Sequence, residues 1–262
     1  MKFHKKHREK MLRDLPFGRI LPNLATLSAL FIGLSQIKFA LKSQWEYVIL
    51  AVVGAAILDA TDGRLARMLN ACSRFGAELD SLSDLVVFGV CPAIAMYLFG
   101  LHEIDRIGWV TCAFFAMCMA LRLARFNVHD IENITTELSK RGFSVGVPAP
   151  AGAILAMFPV ILYNSFELEI FKSPYICLFF SIVSSLLCIS KIPTFTIKKI
   201  HIKKEQYTIF LIDAIICACI IFIYTWKAFS VIVLLYIGSI FFSYSKAKVI
   251  TKKTDGQIST PK

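Results

Sequence analysis

Charged residues are scarce in this chain: 18% of its 262 residues are Asp, Glu, Lys or Arg, whereas 56% are hydrophobic. The mean hydropathy is +0.65. One soluble core cannot bury so large an apolar fraction, which excludes an ordinary soluble globular protein and predicts a membrane protein. Because a spanning helix needs about 20 apolar residues, the length allows about six to eight spans in one compact domain.

Sequence signals for several other classes of protein are also missing. The eight cysteines include no C-x-x-C pair and no His partner at zinc spacing, so we interpret them as small hydrophobic residues. No convincing cleavage site follows the basic N-terminus, so a cleaved signal peptide is not expected. The net charge of +11 comes from basic residues between apolar runs, which argues against a nucleic-acid partner.

The apolar runs predict an all-α transmembrane bundle of about eight spans, or six if two runs are interfacial or re-entrant. The candidate spans are residues 21–41, 45–60, 85–101, 107–121, 148–166, 173–190, 207–225 and 228–244. The predicted domain organisation is a basic N-terminal segment 1–20, a membrane core 21–190, a basic loop with two C-terminal spans 191–249, and a disordered tail 250–262.

Basic residues are distributed unevenly between the two sides of these spans. All but five of the 29 Lys and Arg residues fall on one side, and the exceptions are Lys38, Lys42, Arg106, Lys172 and Lys227. Short basic loops stay in the cytosol, so both termini are predicted to be cytosolic. The basic loops are also expected to attract anionic membrane lipids.

Four aspartates border the apolar runs at two neighbouring spans. Asp59 and Asp62 are three residues apart, and Asp80 and Asp84 are four apart, so each pair shares one face of a helix. Ionisable residues at membrane depth are costly and usually functional. Two helices joined by a loop around residues 68–76 could bring the four carboxylates together, where they would repel one another unless divalent cations such as Mg²⁺ or Mn²⁺ intervened.

Small and basic residues accompany the acids. Gly63 and Ala66 leave room beside Asp62 for a bulky ligand to approach the backbone, and Arg67 supplies a fixed cation suited to a phosphate. An alternative is that the acids only form salt bridges with neighbouring arginines and hold a helical hairpin together. A structural hairpin, however, does not require four acids at paired helical spacing.

These residues together resemble the signature of the CDP-alcohol phosphatidyltransferases, D-x-x-D-G-x-x-A-R-x8-G-x3-D-x3-D, at every fixed position. The matching residues are Asp59, Asp62, Gly63, Ala66, Arg67, Gly76, Asp80 and Asp84. The match covers about a tenth of the chain, but eight fixed positions at fixed spacing are highly specific.

The resemblance implies particular roles for the acids. Asp59, Asp62 and Asp80 would bind a pair of divalent ions, Mg²⁺ or Mn²⁺. Asp84 would also approach the metals and would serve as the catalytic general base. It would take the proton from an alcohol that attacks the phosphorus bearing the diacylglycerol, and CMP would leave.

The resemblance also implies the binding partners. Gly63, Ala66 and Arg67, together with Asp62, would contact the cytidine diphosphate portion of CDP-diacylglycerol. A homodimer in a bacterial inner membrane, with its active site facing the cytosol, is the expected assembly and location.

A second pattern bears on the acceptor alcohol. Residues 122–127 read R-L-A-R-F-N, and residues 146–150 read G-V-P-A-P, which resemble the phosphatidylserine synthase branch of the family except that Val147 replaces the usual Leu. The acceptor is therefore expected to be L-serine, bound by Arg125, Phe126 and Asn127. Alternatively, Arg122 and Arg125 are membrane anchors that reach lipid phosphates.

Two rival functions stay open at this stage. The same chemistry could use glycerol 3-phosphate or inositol as the acceptor. Acids in membrane helices also mark ion-coupled transporters, although no inverted repeat is evident in this sequence.

Overall fold

The computed structural model of the chain describes residues 17–69, 73–131, 143–190, 193–195 and 224–240. The tail 250–262, nearly all of the N-terminal segment 1–20 and nearly all of the predicted span 207–225 lie outside the described residues. Most of the basic loop that follows residue 190 lies outside them as well.

Two long antiparallel helices begin the bundle, α1 at Phe17–Leu41 and α2 at Trp45–Leu69. They pack against each other more extensively than any other described pair of elements. A short turn joins them, in which the Ser43 N–H donates to the Ala40 carbonyl (2.9 Å) and Ser43 has a positive φ of 54°. The predicted span 45–60 is thus part of a longer helix, so Asp59 and Asp62 lie inside α2 rather than at its end.

The third long helix contains a local change of winding directly after Asp84. It runs as α3 over Arg74–Asp84, continues as a π-helical segment over Leu85–Val90, and returns to α-helix as α4 over Cys91–Phe99. A π segment frees backbone carbonyls, and the Val87 carbonyl accepts a hydrogen bond from Gln36 Nε2 of α1 (3.0 Å). A Cβ at Gly33 would lie 2.4 Å from a Val87 methyl, so this glycine permits the close approach of α1.

The remaining elements are mostly helical. They are a 3-10 turn Leu101–Ile104, α5 Asp105–Ile131, β1 Phe143–Val145, α6 Ala149–Ala156, α7 Phe158–Phe166, a 3-10 turn Glu169–Lys172, α8 Pro174–Ile189, β2 Pro193–Phe195 and α9 Thr225–Ile240. The two strands pair antiparallel, with Phe143 opposite Phe195. The prediction of a helical bundle is confirmed for the described residues, but this three-residue ribbon was not predicted.

Three described helices are long and apolar enough to cross a membrane: Ile20–Leu41, Arg74–Phe99 and Leu101–Val128. The pair α6 and α7, bent by 53°, would make a fourth as one broken span. Helices α8 and α9 are apolar but shorter. The structure therefore supports three or four spans by length and composition, and the predicted count of eight stays a prediction.

The packing of the bundle also suits a membrane. Its buried core is apolar and includes Ile49, Phe88 and Met96. Large apolar side chains also face outward, and Phe31 and Val110 are 74% and 65% exposed. Such an apolar exterior is expected where lipid is the solvent. The five described cysteines, Cys91, Cys112, Cys118, Cys177 and Cys188, are buried and free, as expected for small hydrophobic residues.

Candidate active site

Three carboxylates meet where α2 and α3 face each other. Asp59, Asp62 and Asp80 each offer an oxygen atom, and these atoms lie within 4.8 Å of one another. In the described part of the chain, no Lys or Arg forms an ion pair with any motif aspartate. The predicted alternative of a salt-bridged hairpin therefore has no support among these residues. An oxygen-only group without a protein cation fits a hard divalent ion such as Mg²⁺ or Mn²⁺.

The fourth motif aspartate lies beside this group. The Asp59 carboxylate interacts electrostatically with the carboxylates of both Asp80 and Asp84. Asp84 is also within electrostatic range of the Arg122 guanidinium on α5. The four acids lie near one another, as the helical spacing predicts, but Asp84 is not part of the group that meets within 4.8 Å.

Helix α1 orients one of the acids. Thr26 Oγ1 donates a hydrogen bond to Asp62 Oδ2 at 2.7 Å, and Asp62 is only 4% exposed. Hydrogen bonds of this kind fix the direction of a ligating carboxylate and support metal affinity. The first helix therefore takes part in the site, although no motif residue lies on it.

A cavity of about 260 Å³ opens beside the acids. Its lining residues are Pro22, Asn23, Thr26, Asp62, Gly63, Ala66, Arg67, Ser73, Gly76, Ala77 and Asp80. All four residues predicted to contact the cytidine diphosphate line this cavity, together with Asp80. A Cβ at Gly63 would have only Arg67 Nη2 as a neighbour, at 4.0 Å, so a ligand can approach the α2 backbone there.

The start of α3 forms another wall of the cavity. Ser73 caps the helix, with its Oγ accepting from the Gly76 N–H at 3.0 Å. A Cβ at Gly76 would lie 3.1 Å from both Asn23 Oδ1 and Ser73 Oγ, a tight contact. The motif glycine therefore lets α3 begin close to α1.

The residues predicted to bind the acceptor occupy different surroundings. Arg125 donates from Nη1 to the Ile189 carbonyl (2.8 Å) and from Nη2 to the Ser190 carbonyl (3.4 Å), which satisfies carbonyls at the end of α8. Asn127 Oδ1 accepts a hydrogen bond from Ser81 Oγ of α3 (3.0 Å), which connects α5 to the helix of Asp80 and Asp84. Phe126 is 60% exposed. Their role in acceptor binding stays a prediction.

Comparisons with known proteins agree with this geometry. Residues 19–196 match the sequence profile of the CDP-alcohol phosphatidyltransferases. The chain belongs to the CDP-alcohol phosphatidyltransferase family. Enzymes of this family generally depend on divalent metals, and the cluster of three aspartates supplies suitable oxygen ligands in this member.

Several relatives of this phosphatidyltransferase share the name CDP-diacylglycerol–serine O-phosphatidyltransferase. The relative from Helicobacter pylori is 34% identical over 236 residues, covering 89% of this chain and 95% of the relative. The relative from Mycobacterium leprae is 36% identical over 225 residues, covering 86% and 74%. One from Bacillus subtilis is 33% identical over 150 residues, covering 57% and 80%.

Sequence reasoning missed the contribution of α1 to this site. Asn23 and Thr26 both line the cavity, and Thr26 bonds to Asp62. The available signal was two polar residues three apart near the start of an apolar run, which places both on one helical face. That signal indicates a polar face but does not say which partner it meets.

Proposed function

We propose that this phosphatidyltransferase transfers the phosphatidyl group of CDP-diacylglycerol to L-serine and releases CMP. The observation that carries the proposal is the group of three carboxylates, which have no ion-pair partner among the described residues and lie beside a cavity lined by the small residues and the arginine of the signature. The names of relatives that align over most of the chain support serine as the acceptor.

The donor is proposed to bind in the cavity. Gly63 and Ala66 let the cytidine diphosphate approach the α2 backbone, Arg67 attracts a phosphate oxygen, and Asp62 contacts the same portion. Arg67 is exposed and has no described ion-pair partner, so its charge is available to a ligand.

The four aspartates are proposed to hold two divalent ions, Mg²⁺ or Mn²⁺. When bound, the ions would neutralise charge on the diphosphate. Asp59, Asp62 and Asp80 form the group that converges within 4.8 Å, and Asp84 lies beside Asp59. Thr26 holds the Asp62 carboxylate in a fixed direction for this purpose.

Asp84 is proposed as the general base. Its carboxylate takes the proton from the serine hydroxyl as the oxygen forms a bond to the phosphorus that bears the diacylglycerol. The bond from that phosphorus to the CMP oxygen breaks, and CMP leaves with the electron pair. Asp84 lies beside the other acids and within electrostatic range of Arg122, which supports a role different from that of a pure ligand.

Arg125, Phe126 and Asn127 are proposed to contribute to acceptor binding. The hydrogen bond between Asn127 and Ser81 supports this for Asn127, because Ser81 lies between Asp80 and Asp84 on α3. Arg125 donates a hydrogen bond to a carbonyl at the end of α8, so its proposed contribution is to fix the position of α8 beside the acceptor. Arg122 also supplies a positive charge near the base.

The membrane arrangement follows from the basic loops. We propose about eight spans, cytosolic termini, an active site facing the cytosol in a bacterial inner membrane, and a homodimeric assembly. The excess of Lys and Arg on one side of the predicted spans supports the orientation.

The test is CMP release by the detergent-purified full chain with CDP-diacylglycerol and Mn²⁺, comparing L-serine, glycerol 3-phosphate and inositol. Release with serine alone, lost with EDTA and restored by Mn²⁺ or Mg²⁺, is the expected result. Release only with another acceptor would overturn serine while keeping the transfer chemistry. Metal-dependent ion uptake into liposomes without any CMP or lipid product would favour a transporter instead.

A further inference from the structure

Helix α9 lies beyond the residues that match the family, which end at residue 196. It nevertheless packs into the bundle. Ser165 Oγ of α7 lies 2.9 Å from the Trp226 carbonyl and 2.7 Å from Ser230 Oγ, and Val233 is buried in the core. Small polar residues at such a crossing let two helices approach closely in a membrane. The helix is therefore a fixed part of the bundle rather than an appendage.

Tyr236 of α9 has a buried hydroxyl that lacks a hydrogen-bond partner among the described residues. Its ring packs against the core. A buried hydroxyl without a partner is costly, so such a group usually meets a ligand, a water or another polar atom. Phenylalanine would fill the same space without this cost.

The surroundings of the hydroxyl connect it to the candidate active site. Tyr236 lies in electrostatic range of the Arg122 guanidinium and the Cys188 thiol. Arg122 donates from Nε to the Val147 carbonyl at 2.6 Å and lies in range of Asp84. Arg122, fixed by this hydrogen bond, is therefore within electrostatic range of both the proposed base and the Tyr236 hydroxyl.

The chemistry of this pair indicates the kind of group that it would bind. A guanidinium and a phenol hydroxyl can both donate hydrogen bonds, and a carboxylate can accept from both at once. A thiol is only a weak donor, so Cys188 adds little to such a site. The position beside Asp84 is where an acceptor must place its reacting hydroxyl.

We propose that Tyr236 is an acceptor-binding residue, whose hydroxyl donates a hydrogen bond to the anionic group of the acceptor beside Arg122. For L-serine this group is the carboxylate. The inference rests on the proposed function, because it assumes an acceptor that reacts at Asp84. It gives helix α9 a role in acceptor specificity.

The test compares Tyr236→Phe and Tyr236→Leu with the wild-type chain in the CMP-release assay. Tyr236→Phe removes only the hydroxyl, so it is expected to raise the KM for L-serine by about tenfold, as for the loss of a hydrogen bond to a charged group. The KM for CDP-diacylglycerol should stay unchanged, and the apparent Tm should not fall, because the variant loses only a buried hydroxyl that has no partner among the described residues. The matched control is Tyr224→Phe, which removes an exposed hydroxyl from the start of the same helical segment and should behave as wild type.

The Tyr236→Leu variant separates binding from packing. If only the ring matters, Tyr236→Leu loses activity while Tyr236→Phe keeps the wild-type KM, and the proposal is overturned. Use of inositol, which has no anionic group, would overturn the proposal. If the wild-type chain uses glycerol 3-phosphate, the same comparison is made with that acceptor. An unchanged KM in Tyr236→Phe then overturns the role of Tyr236, whereas a lack of release with serine overturns only the proposed function.

Discussion

Acidic residues occur in opposite arrangements in two regions of the bundle. On the 3-10 turn Glu169–Lys172, Lys172 Nζ pairs with Glu169 at 3.0 Å and lies 4.3 Å from the centre of the Tyr163 ring. In the second half of α2, Asp59 and Asp62 meet Asp80 with no ion-pair partner among the described residues. The first region neutralises an acidic charge within the protein, and the second leaves like charges together.

The difference distinguishes a structural charge from a functional one. Exposed ion pairs contribute little to stability and need no ligand. Carboxylates gathered at membrane depth repel one another, so their arrangement is favourable only with a cation that the protein does not provide. Loss of the acids in the second region should therefore affect function strongly, and loss of charges in the first region should not.

The largest effect is expected for Asp84→Asn. The amide keeps the size and polarity of the side chain but cannot take a proton at neutral pH, so kcat should fall by at least about 100-fold. The apparent Tm should stay close to that of the wild type. CMP release and a thermal unfolding curve measure the two quantities.

The matched control is Glu46→Gln, which removes an acid from the other end of α2. It should leave kcat unchanged. Normal turnover in Asp84→Asn, or an equal loss in both variants, would contradict the assignment of the base.

The next effect is expected for Thr26→Val. Valine keeps the shape of threonine but removes the hydrogen bond to Asp62, so the affinity for Mn²⁺ should fall by about tenfold. The Mn²⁺ concentration that gives half-maximal CMP release measures this change. Thr61→Val is the control, because the Thr61 hydroxyl bonds to the Ile57 carbonyl instead of an acid. Equal metal requirements in the two variants would show that α1 has no part in the site.

A smaller effect is expected on stability in the absence of metal. In EDTA, Asp80→Asn removes one of the repelling charges and should raise the apparent Tm by about 2–4 °C, which corresponds to about 1 kcal/mol. With saturating Mn²⁺ the wild type should have the higher apparent Tm, because it gains more stability from metal binding than the variant does. Glu78→Gln, an exposed acid in the same motif, should change neither value. A lower Tm for Asp80→Asn in EDTA would mean that the acids stabilise the fold.

The smallest effect is expected for Glu169→Gln. It removes an exposed ion pair between two residues that are three positions apart, so the free energy of unfolding should change by less than about 0.5 kcal/mol. The rate of CMP release should stay at the wild-type level. A large loss of activity would contradict the view that this ion pair is only structural.

Helical spacing predicted correctly that motif carboxylates from two helices converge, and the roles of these residues stay predictions. The pairs Asp59 with Asp62 and Asp80 with Asp84 were assigned to facing helices from spacing alone, and three of their carboxylates meet within 4.8 Å. Local periodicity is enough for this because it fixes which residues share a helical face. The resemblance to the family, which the comparisons confirm, added the cytidine and lipid parts of the substrate.

Long-range contacts could not be predicted in the same way. The bond from Thr26 to Asp62 and the bond from Gln36 to the Val87 carbonyl depend on how α1 packs, which local spacing does not determine. Helix boundaries also differed, since α2 continues to Leu69 and the next helix begins at Arg74. Charged residues lower the hydropathy of these segments without ending the helices.

The measurement that tests the central claim most directly is Mn²⁺ binding to the purified chain, followed by electron paramagnetic resonance as the free ion disappears. The account predicts saturable binding of two ions per chain, greatly weakened in Asp80→Ala and unchanged in Glu46→Gln. Absence of saturable binding in the wild type, or equal binding in all three proteins, would contradict it.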